Sequence, residues 1–331
     1  MTGLREVFPK VFLLSLPLPF ELEFVNVYLV KLSQGWMLID CGMDTDAAFA
    51  VLSEALQAEG IRWTDIRQIF LTHMHPDHMG LSAKLLELSG AELLMHEHEA
   101  RHLRLVTGSE QRLPWMEFVF TQAGVPKQLQ ERIDQHFSGI RKNFHDLIPN
   151  RTFSGGEEIE TAIGRLIVHW TPGHSPGHVC LYCPEHRLLF SGDQILEDIT
   201  PNIAWHPEQD TLADYLASLE NLKDLEIDLI LPSHGQPFSG HRVWIEETIE
   251  HHRQRCGQIT ALLREGSRTA HSLVGDLWRR ELAPIHHHFA VFEVMAHLKY
   301  MQGQGSVISR EQDGAIQWQT LKANVTALPA Q

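Results

Sequence analysis

The sequence predicts a mixed α/β fold, because short apolar runs that end in polar or glycine-rich turns alternate with helical stretches up to about residue 239. The chain has 331 residues, of which 43% are hydrophobic, so it can bury the core of one large domain and a smaller appendage. We expect a catalytic-type domain over residues 1–240 and a second domain over residues 241–331.

Nine apolar runs are candidate strands of the large domain. The first belongs to the stretch from Val11 to Phe20, which is short and interrupted by two prolines, so we interpret it as an opening strand rather than a signal sequence. Leucines at helical spacing predict one helix from Pro76 to Leu88, with the proline in its first turn. The candidate strands are Val11–Leu16, Val25–Val30, Trp36–Ile39, Ile69–Leu71, Glu92–Met95, Leu166–His169, Val179–Tyr182, Leu188–Phe190 and Leu229–Leu231.

Two regions are predicted to be mainly helical. Residues 100–150 have few strand signals, which indicates a helical insertion that either packs as core or forms a lid beside a site. After residue 240, helices are expected at about 241–264, 270–281 and 287–302, followed by two strand-like runs around Asp313-Gly314, a strong hairpin signal. Helices followed by a hairpin predict a winged-helix-like module. The large apolar side chains of the insertion are Trp115, Phe118, Phe120, Phe137, Ile140 and Phe144.

Composition excludes some classes of function. A formal charge of −15 argues against broad attraction to nucleic-acid phosphates or anionic membranes. No run approaches the roughly 20 apolar residues of a membrane-spanning helix. Four cysteines do not make a disulfide framework, so we expect a cytoplasmic protein. Cys180 and Cys183 have C-x-x-C spacing, but they lie in an apolar run and are interpreted as packed strand residues.

The chain has 22 histidines, and the positions of several of them in the sequence indicate the chemistry of the protein. Three imidazoles and a carboxylate lie within six positions directly after an apolar strand, in the segment from Leu71 to His78, which reads Leu-Thr-His-Met-His-Pro-Asp-His. Imidazole and carboxylate suit Zn, Fe or Mn. Burying them without a metal would leave unpaired polar groups, each costing about 1–3 kcal/mol. A metal site is therefore the favoured interpretation.

Three further candidate strands are followed by a histidine or aspartate that is flanked by glycine or proline. Thr171 to His178 reads Thr-Pro-Gly-His-Ser-Pro-Gly-His and follows a candidate strand, as do Ser191-Gly192-Asp193 and Pro232-Ser233-His234-Gly235. Strand ends hold catalytic loops rigidly. Independent polar loops rarely produce such a set.

Together, His-x-His-x-Asp-His, the TPGHSPGH loop, the isolated SGD aspartate and the late SHG histidine resemble the signature of the metallo-β-lactamase superfamily, in the same order, over about residues 10–240. The resemblance implies a four-layer αββα sandwich. It also implies that Asp40, in Leu38-Ile39-Asp40-Cys41-Gly42, supports and orients the ligands. By the same resemblance, one metal would be bound by His73, His75 and His174, the second by Asp77, His78 and His234, with Asp193 bridging.

This resemblance implies hydrolysis by two divalent ions, zinc in first place with iron or manganese as alternatives. Two dications lower the pKa of a shared water, so that hydroxide is available near neutral pH without a serine or cysteine nucleophile. Asp77 would orient that water or carry its proton, which makes Asp77 and Asp193 the catalytic candidates. Related di-iron oxidoreductases carry glutamate where this chain has His75, which favours hydrolysis.

The carboxy-terminal region more loosely resembles the winged-helix tail of lactamase-β-2-like hydrolases, through His252-Arg253, Gln258-Ile259, Gly266 and Ala296-His297-Leu298. Three hypotheses follow. A small-molecule hydrolase would cleave a thioester, ester or lactone; a phosphodiesterase or endoribonuclease would act on single-stranded RNA; an inactive domain would carry a regulatory or dimerising tail. The acidic charge favours the first. We expect a small-molecule partner, no membrane, and a homodimer as an open alternative to a monomer.

Other histidines receive structural interpretations. His178 is expected to pack the loop that carries His174. His286, His287 and His288 precede an apolar helical run, so a surface or domain contact at a helix start is favoured over a third metal site.

Overall fold

A computed structural model describes residues 3–107, 114–141, 144–197, 199–207 and 209–321; the side chains of residues 114, 115 and 137–141 are also outside this description. The interpretations of Trp115, Phe137 and Ile140 therefore concern side chains outside the described set. Among the described residues, no helix is both long and apolar enough to cross a membrane.

Fourteen strands are formed by the described residues, and most coincide with the predicted apolar runs. They are β1 (Arg5–Phe8), β2 (Val11–Pro17), β3 (Phe24–Lys31), β4 (Trp36–Ile39), β5 (Ile66–Phe70), β6 (Glu92–His96), β7 (Arg151–Phe153), β8 (Glu158–Thr161), β9 (Gly164–Trp170), β10 (Val179–Cys183), β11 (Leu188–Gly192), β12 (Leu229–Pro232), β13 (Val307–Gln312) and β14 (Ala315–Thr320).

Ten α-helices accompany them in the described chain. They are α1 (Asp46–Ala58), α2 (Pro76–Met79), α3 (Ser82–Ser89), α4 (Glu97–Thr107), α5 (Pro114–Gln122), α6 (Lys127–Arg141), α7 (Thr211–Lys223), α8 (His241–Arg264), α9 (Ala270–Leu277) and α10 (Pro284–Gly303).

The two large sheets pack face to face and are covered by helices on both outer sides. One sheet has the order β1-β2-β3-β4-β5-β6-β7 and the other β12-β11-β10-β9-β8. Apolar side chains of both inner faces, among them Tyr28, Phe70, Val168 and Phe190, form the central core. Outer cores join the first sheet to α1 and α3, and the second sheet to α7, α8 and α10. This is the αββα sandwich that the sequence predicted.

The carboxy-terminal helices share a core with the second sheet. Phe292 and Met295 of α10 belong to the same apolar cluster as Leu189 of β11 and Phe120 of α5. The hairpin β13–β14 turns at Asp313 and Gly314, whose φ angles of 53° and 78° fit the left-handed turn that a tight hairpin needs. A helical insertion and a helix-plus-hairpin carboxy-terminal region are thus both present.

Two local predictions were wrong. Residues from Pro76 to Leu88 form two helices, α2 and α3, because the Leu81 amide donates to the Gly42 carbonyl instead of continuing the helical ladder. A Cβ on Gly80 would lie 2.4 Å from the Asp44 amide nitrogen, so the chain passes close to its neighbour at this break. The run that begins at Val11 is not the opening strand, since β1 precedes it at the sheet edge.

Candidate metal centre

The predicted site residues follow the carboxyl ends of strands that point the same way. β4 and β5 are parallel, as are β11 and β12, and β9 runs with β11 because each is antiparallel to β10. The loop after β5 carries His73 and His75, and α2 carries Asp77 and His78. The loops after β9, β11 and β12 carry His174, Asp193 and His234. One edge of the sandwich therefore receives all seven side chains.

These seven side chains form two groups of potential ligand atoms, within each of which all atoms lie within 4.8 Å of one another. His73, His75, His174 and Asp193 form the first group, and Asp77, His78 and His234 form the second. The structure thus brings together every residue that the resemblance implied as a ligand.

Asp193 connects the two groups. Its Oδ2 lies 3.4 Å from Nε2 of His174 and 3.5 Å from Nε2 of His78, while its Oδ1 lies 3.5 Å from Nε2 of His234. Asp77 Oδ2 lies 3.5 Å from His78 Nε2 and 3.4 Å from His234 Nε2. Ligand atoms about 2.0–2.1 Å from a tetrahedral zinc ion are roughly 3.3–3.4 Å apart, which is close to these separations.

In three of the histidines, the ring nitrogen Nδ1 is hydrogen-bonded to an oxygen from another segment of the chain. His78 Nδ1 lies 2.8 Å from Asp40 Oδ2, His174 Nδ1 2.9 Å from the Asn202 carbonyl, and His234 Nδ1 3.0 Å from the Phe24 carbonyl. Each Nδ1–H donates to an oxygen, which leaves Nε2 as an acceptor facing the cluster. Such partners fix the tautomer and the ring orientation of a metal ligand.

Asp40 lies behind the cluster and contacts His78, one of the predicted ligands. It is buried, with φ of +60°, a left-handed conformation that aspartate tolerates better than most residues. Its carboxylate accepts hydrogen bonds from the Thr72 amide and hydroxyl, at 2.8 Å each, as well as from His78. It therefore links the loop after β4 to the ligand-bearing loop.

Glu99 is a supporting residue that sequence reasoning missed. It is fully buried in α4, and its carboxylate accepts hydrogen bonds from the Met74 amide at 2.7 Å, the Ser175 hydroxyl at 2.8 Å and the Gly177 amide at 2.6 Å. Burial raises its pKa, although these donors oppose the shift. Glu99 thus joins two ligand loops; its position just after β6, beside β5, was the available signal.

His178 is another residue that supports the cluster from behind, and it does not belong to either ligand group. It is fully buried; its Nε2 accepts the Asp193 amide at 3.0 Å, and its Nδ1 contacts the Thr171 hydroxyl at 2.8 Å. Gly192 packs against the same ring with φ of +52°, and a Cβ there would lie 2.6 Å from His178 Nε2. The glycine of the SGD motif therefore allows the backbone to approach His178 and present Asp193.

The triple histidine 286–288 lies in the first turn of α10, away from the two ligand groups. His287 pairs with His271 through ring nitrogens 2.9 Å apart, and the ring of His288 packs on Phe292 with centroids 4.5 Å apart. His286 and His288 line the cavity described below. Cys180 and Cys183 are buried free thiols in β10.

The charged groups of the cluster shift one another's pKa values. Burial raises the pKa of Asp193 and Asp77, but His78 and His234 outweigh burial and place both carboxyl pKa values below their ordinary range. Burial lowers the pKa of His78 and His234, but the two aspartates outweigh it and raise both imidazole pKa values. Burial and His174 lower the pKa of His75 to about 3. The carboxylates and His75 therefore already have the protonation states that a metal requires, whereas His78 and His234 would release protons on metal binding.

The residues present fit a divalent metal. Among the described residues, His78 Nε2, His174 Nε2 and Asp193 Oδ1 are buried without a hydrogen-bond partner. Leaving such atoms unsatisfied costs about 1–3 kcal/mol each, more for charged groups. All three atoms point into the cluster, so a coordinated cation would satisfy them together.

A cavity of about 940 Å³ opens above the cluster. Five of the seven side chains line it, while His73 and His78 lie fully buried beneath. The remaining wall comes from the β2–β3 turn, the insertion, the loop before α7 and the start of α10. The lining side chains of the cluster are His75, Asp77, His174, Asp193 and His234.

A family model described as the metallo-beta-lactamase superfamily matches residues 21–234. The chain belongs to the metallo-beta-lactamase superfamily. A second model, the metallo-beta-lactamase-like carboxy-terminal domain, matches residues 256–321. Both the family and the carboxy-terminal module were predicted from the sequence, whereas the boundary at residue 240 stays a prediction.

Relatives in the metallo-beta-lactamase superfamily cover most of the chain. A probable metallo-hydrolase of Bacillus subtilis is 25% identical, covering 94% of this chain and 98% of the relative. An acyl-coenzyme A thioesterase of Gallus gallus is 27% identical, covering 66% and 75%. The crystal structure of a family protein from Thermus thermophilus has 32% identity and a TM-score of 0.84, covering 95% and 100%. The predicted enzyme class, a metal-dependent hydrolase of this superfamily, is confirmed.

Proposed function

We propose that the chain is a dinuclear hydrolase that cleaves a thioester, ester or lactone in a small molecule. The observation that carries this proposal is the bridging position of Asp193, whose two carboxylate oxygens face both ligand groups at the floor of the cavity. The thioesterase activity named for the Gallus gallus relative supports an acyl substrate. Zinc is the first candidate for the metal, since imidazole and carboxylate ligands suit it.

Two divalent cations bound there would supply a hydroxide nucleophile from water near neutral pH and polarise the carbonyl oxygen of the substrate. The protein's part is to hold the geometry. Asp77 is partly exposed to the cavity, and its lowered pKa keeps the carboxylate ionised, so it can accept a hydrogen bond from the attacking water and orient it. Asp40 and Glu99 hold the loops that carry the histidines.

The alternative from the sequence is a phosphodiesterase or endoribonuclease acting on single-stranded RNA. Lysine and arginine are the usual phosphate partners. None of either is among the described residues that line the cavity. Together with the charge of −15, this lining supports a small acyl substrate over a polyanion.

The test combines elemental analysis of purified protein with hydrolysis assays on thioesters, esters, lactones, phosphodiesters and single-stranded RNA. We expect two metal ions per chain and cleavage of an acyl class. Cleavage of RNA alone, with an affinity that falls steeply as salt rises, would instead establish the phosphodiesterase, because phosphate contacts release counterions. A single metal per fully active chain would overturn the dinuclear assignment.

A further inference from the structure

The wall of the cavity is apolar. Leu18 and Phe20 come from the β2–β3 turn, Leu196 and Ile199 from the loop after Asp193, and Phe289 and Phe292 from α10. Pockets of about 300–1,000 Å³ lined mainly by apolar side chains bury most of the surface of a small ligand. At about 940 Å³ the cavity is near the upper end of that range.

Several wall residues are large hydrophobic side chains that remain exposed in the described structure. Phe20, Leu22, Ile199 and Phe289 are each 39–44% exposed, and all four line the cavity. Exposed apolar surface gathered around one opening marks a binding site. Because these side chains come from three separate segments of the chain, their convergence is a property of the cavity and not of one local apolar run.

The polar groups of the wall are suited to an uncharged ligand. No lysine or arginine is present among its described lining residues, and Glu21 is exposed at this wall. Burial lowers the pKa of His288 to about 3, and burial with the neighbouring His102 does the same for His206, so both imidazoles are neutral at physiological pH. An anionic group placed against this wall would lose its hydration without gaining a cationic partner.

From this lining we propose that the substrate carries a medium- or long-chain neutral acyl group, whose chain packs against the wall formed by Phe20, Ile199 and Phe289 while its carbonyl faces Asp77 and Asp193. The inference rests on the proposed acyl hydrolysis. In the reaction, water adds to the carbonyl carbon, the bond to the leaving sulfur or oxygen breaks, and that atom takes up a proton. The products are a thiol or alcohol and a carboxylic acid, which releases the second proton of the water to solvent as the carboxylate forms, with no oxidant or reductant involved.

The test uses matched thioesters of N-acetylcysteamine and of coenzyme A with butanoyl, octanoyl and dodecanoyl chains. For the neutral series, kcat/KM is expected to rise about fourfold for each added methylene that becomes fully buried, until the wall is filled. The coenzyme A thioesters carry the same acyl chains with a phosphate-bearing leaving group, so the same rise with chain length is expected whichever series is cleaved faster. Hydrolysis that is independent of chain length in both series would overturn the inference and leave the proposed function standing.

A matched pair of variants tests the location of the chain. Phe289→Ala should lower kcat/KM for the dodecanoyl thioester about tenfold and leave the butanoyl thioester nearly unchanged. Phe118→Ala is the control, since Phe118 is 48% exposed against 41% for Phe289 and does not line the cavity. Equal effects of Phe289→Ala on both chain lengths would show that the acyl chain does not pack there.

Binding of neutral methyl ketones separates the failure of this inference from failure of the proposed function. Calorimetric titration should give a Kd that falls with alkyl length, and Phe289→Ala should remove the trend. If a protein with two bound metals hydrolyses no acyl substrate, the proposed function fails, and tightening of ketone binding with chain length would still support the apolar ligand. Equal Kd values for short and long ketones would overturn it.

Discussion

The ligand cluster and the cavity wall above it are built in opposite ways. The cluster consists of seven buried or partly buried polar side chains; Asp40 and backbone carbonyls accept hydrogen bonds from three of its imidazoles, and Glu99 accepts hydrogen bonds from the loops that carry them. The wall consists of apolar side chains from four segments, several of them substantially exposed. A change in the cluster leaves polar groups unsatisfied, whereas a change in the wall only alters apolar contact area.

This difference separates chemistry from specificity within one site. The cluster has little tolerance for substitution, because three of its imidazoles are held in one tautomer and each carboxylate faces two or more partners. The wall can change while leaving the ligands in place. We therefore expect substitutions in the cluster to affect every substrate, and substitutions in the wall to affect substrates according to their apolar length.

The largest effect is expected from Asp193→Ala. Removal of the carboxylate that faces both ligand groups should lower metal content and reduce turnover by more than about a hundredfold. Loss of a residue that only hydrogen-bonds to a metal ligand typically costs about 10–100-fold. Elemental analysis and steady-state kinetics measure both quantities. Asp228→Ala, at an exposed ion pair with Arg187, serves as the control. Wild-type rates and metal content in Asp193→Ala would refute the bridging role.

A smaller effect on the same cluster is expected from Asp40→Asn. Asparagine tolerates the left-handed backbone at this position, but the change removes the negative charge behind His78 and places an amide NH2 against a donor of Thr72 or His78. Metal affinity and kcat should each fall about 10–100-fold for short and long substrates alike. Competition with a chelator gives the affinity. An effect restricted to long-chain substrates would contradict the division between cluster and wall.

Glu99→Gln should act mainly on stability. One side-chain oxygen becomes an amide group that faces backbone or hydroxyl donors, which leaves a buried donor unsatisfied and lowers the free energy of unfolding by about 1–3 kcal/mol. Thermal denaturation should show a Tm lowered by several degrees. Glu97→Gln, on an exposed face of the same helix, is expected to leave Tm almost unchanged. If both variants melt alike, Glu99 does not join the loops as described.

The smallest effect is expected from Phe20→Ala. Phe20 is 44% exposed in the β2–β3 turn and lines the cavity, so its loss removes only part of the apolar wall. We expect kcat/KM for a dodecanoyl thioester to fall about threefold to tenfold, with metal content and Tm unchanged. Lower metal content in this variant would show that wall and cluster are not separable.

The local predictions succeeded where the structure depends on residues that are close together in the sequence. Alternating or continuous apolar runs gave the strands, and Asp313-Gly314 gave the hairpin. They failed where a distant partner decides. The helix from Pro76 breaks because the Leu81 amide donates to the carbonyl of Gly42, a partner that no local window of the sequence contains. β1 was missed for another reason: its partner β2 follows it directly, but its own residues are exposed or half-buried and do not form an apolar run.

The sequence by itself predicted which side chains meet in the cluster, since histidines and aspartates placed directly after apolar strands emerge at strand ends, and the family resemblance implied their roles as metal ligands. Only the tertiary structure decided what supports and surrounds that set. Glu99 accepts hydrogen bonds from Met74 and Gly177, and Phe20, Ile199 and Phe289 line one cavity, because folding brings distant segments together. Such contacts depend on sheet packing and loop paths, which residue spacing does not encode.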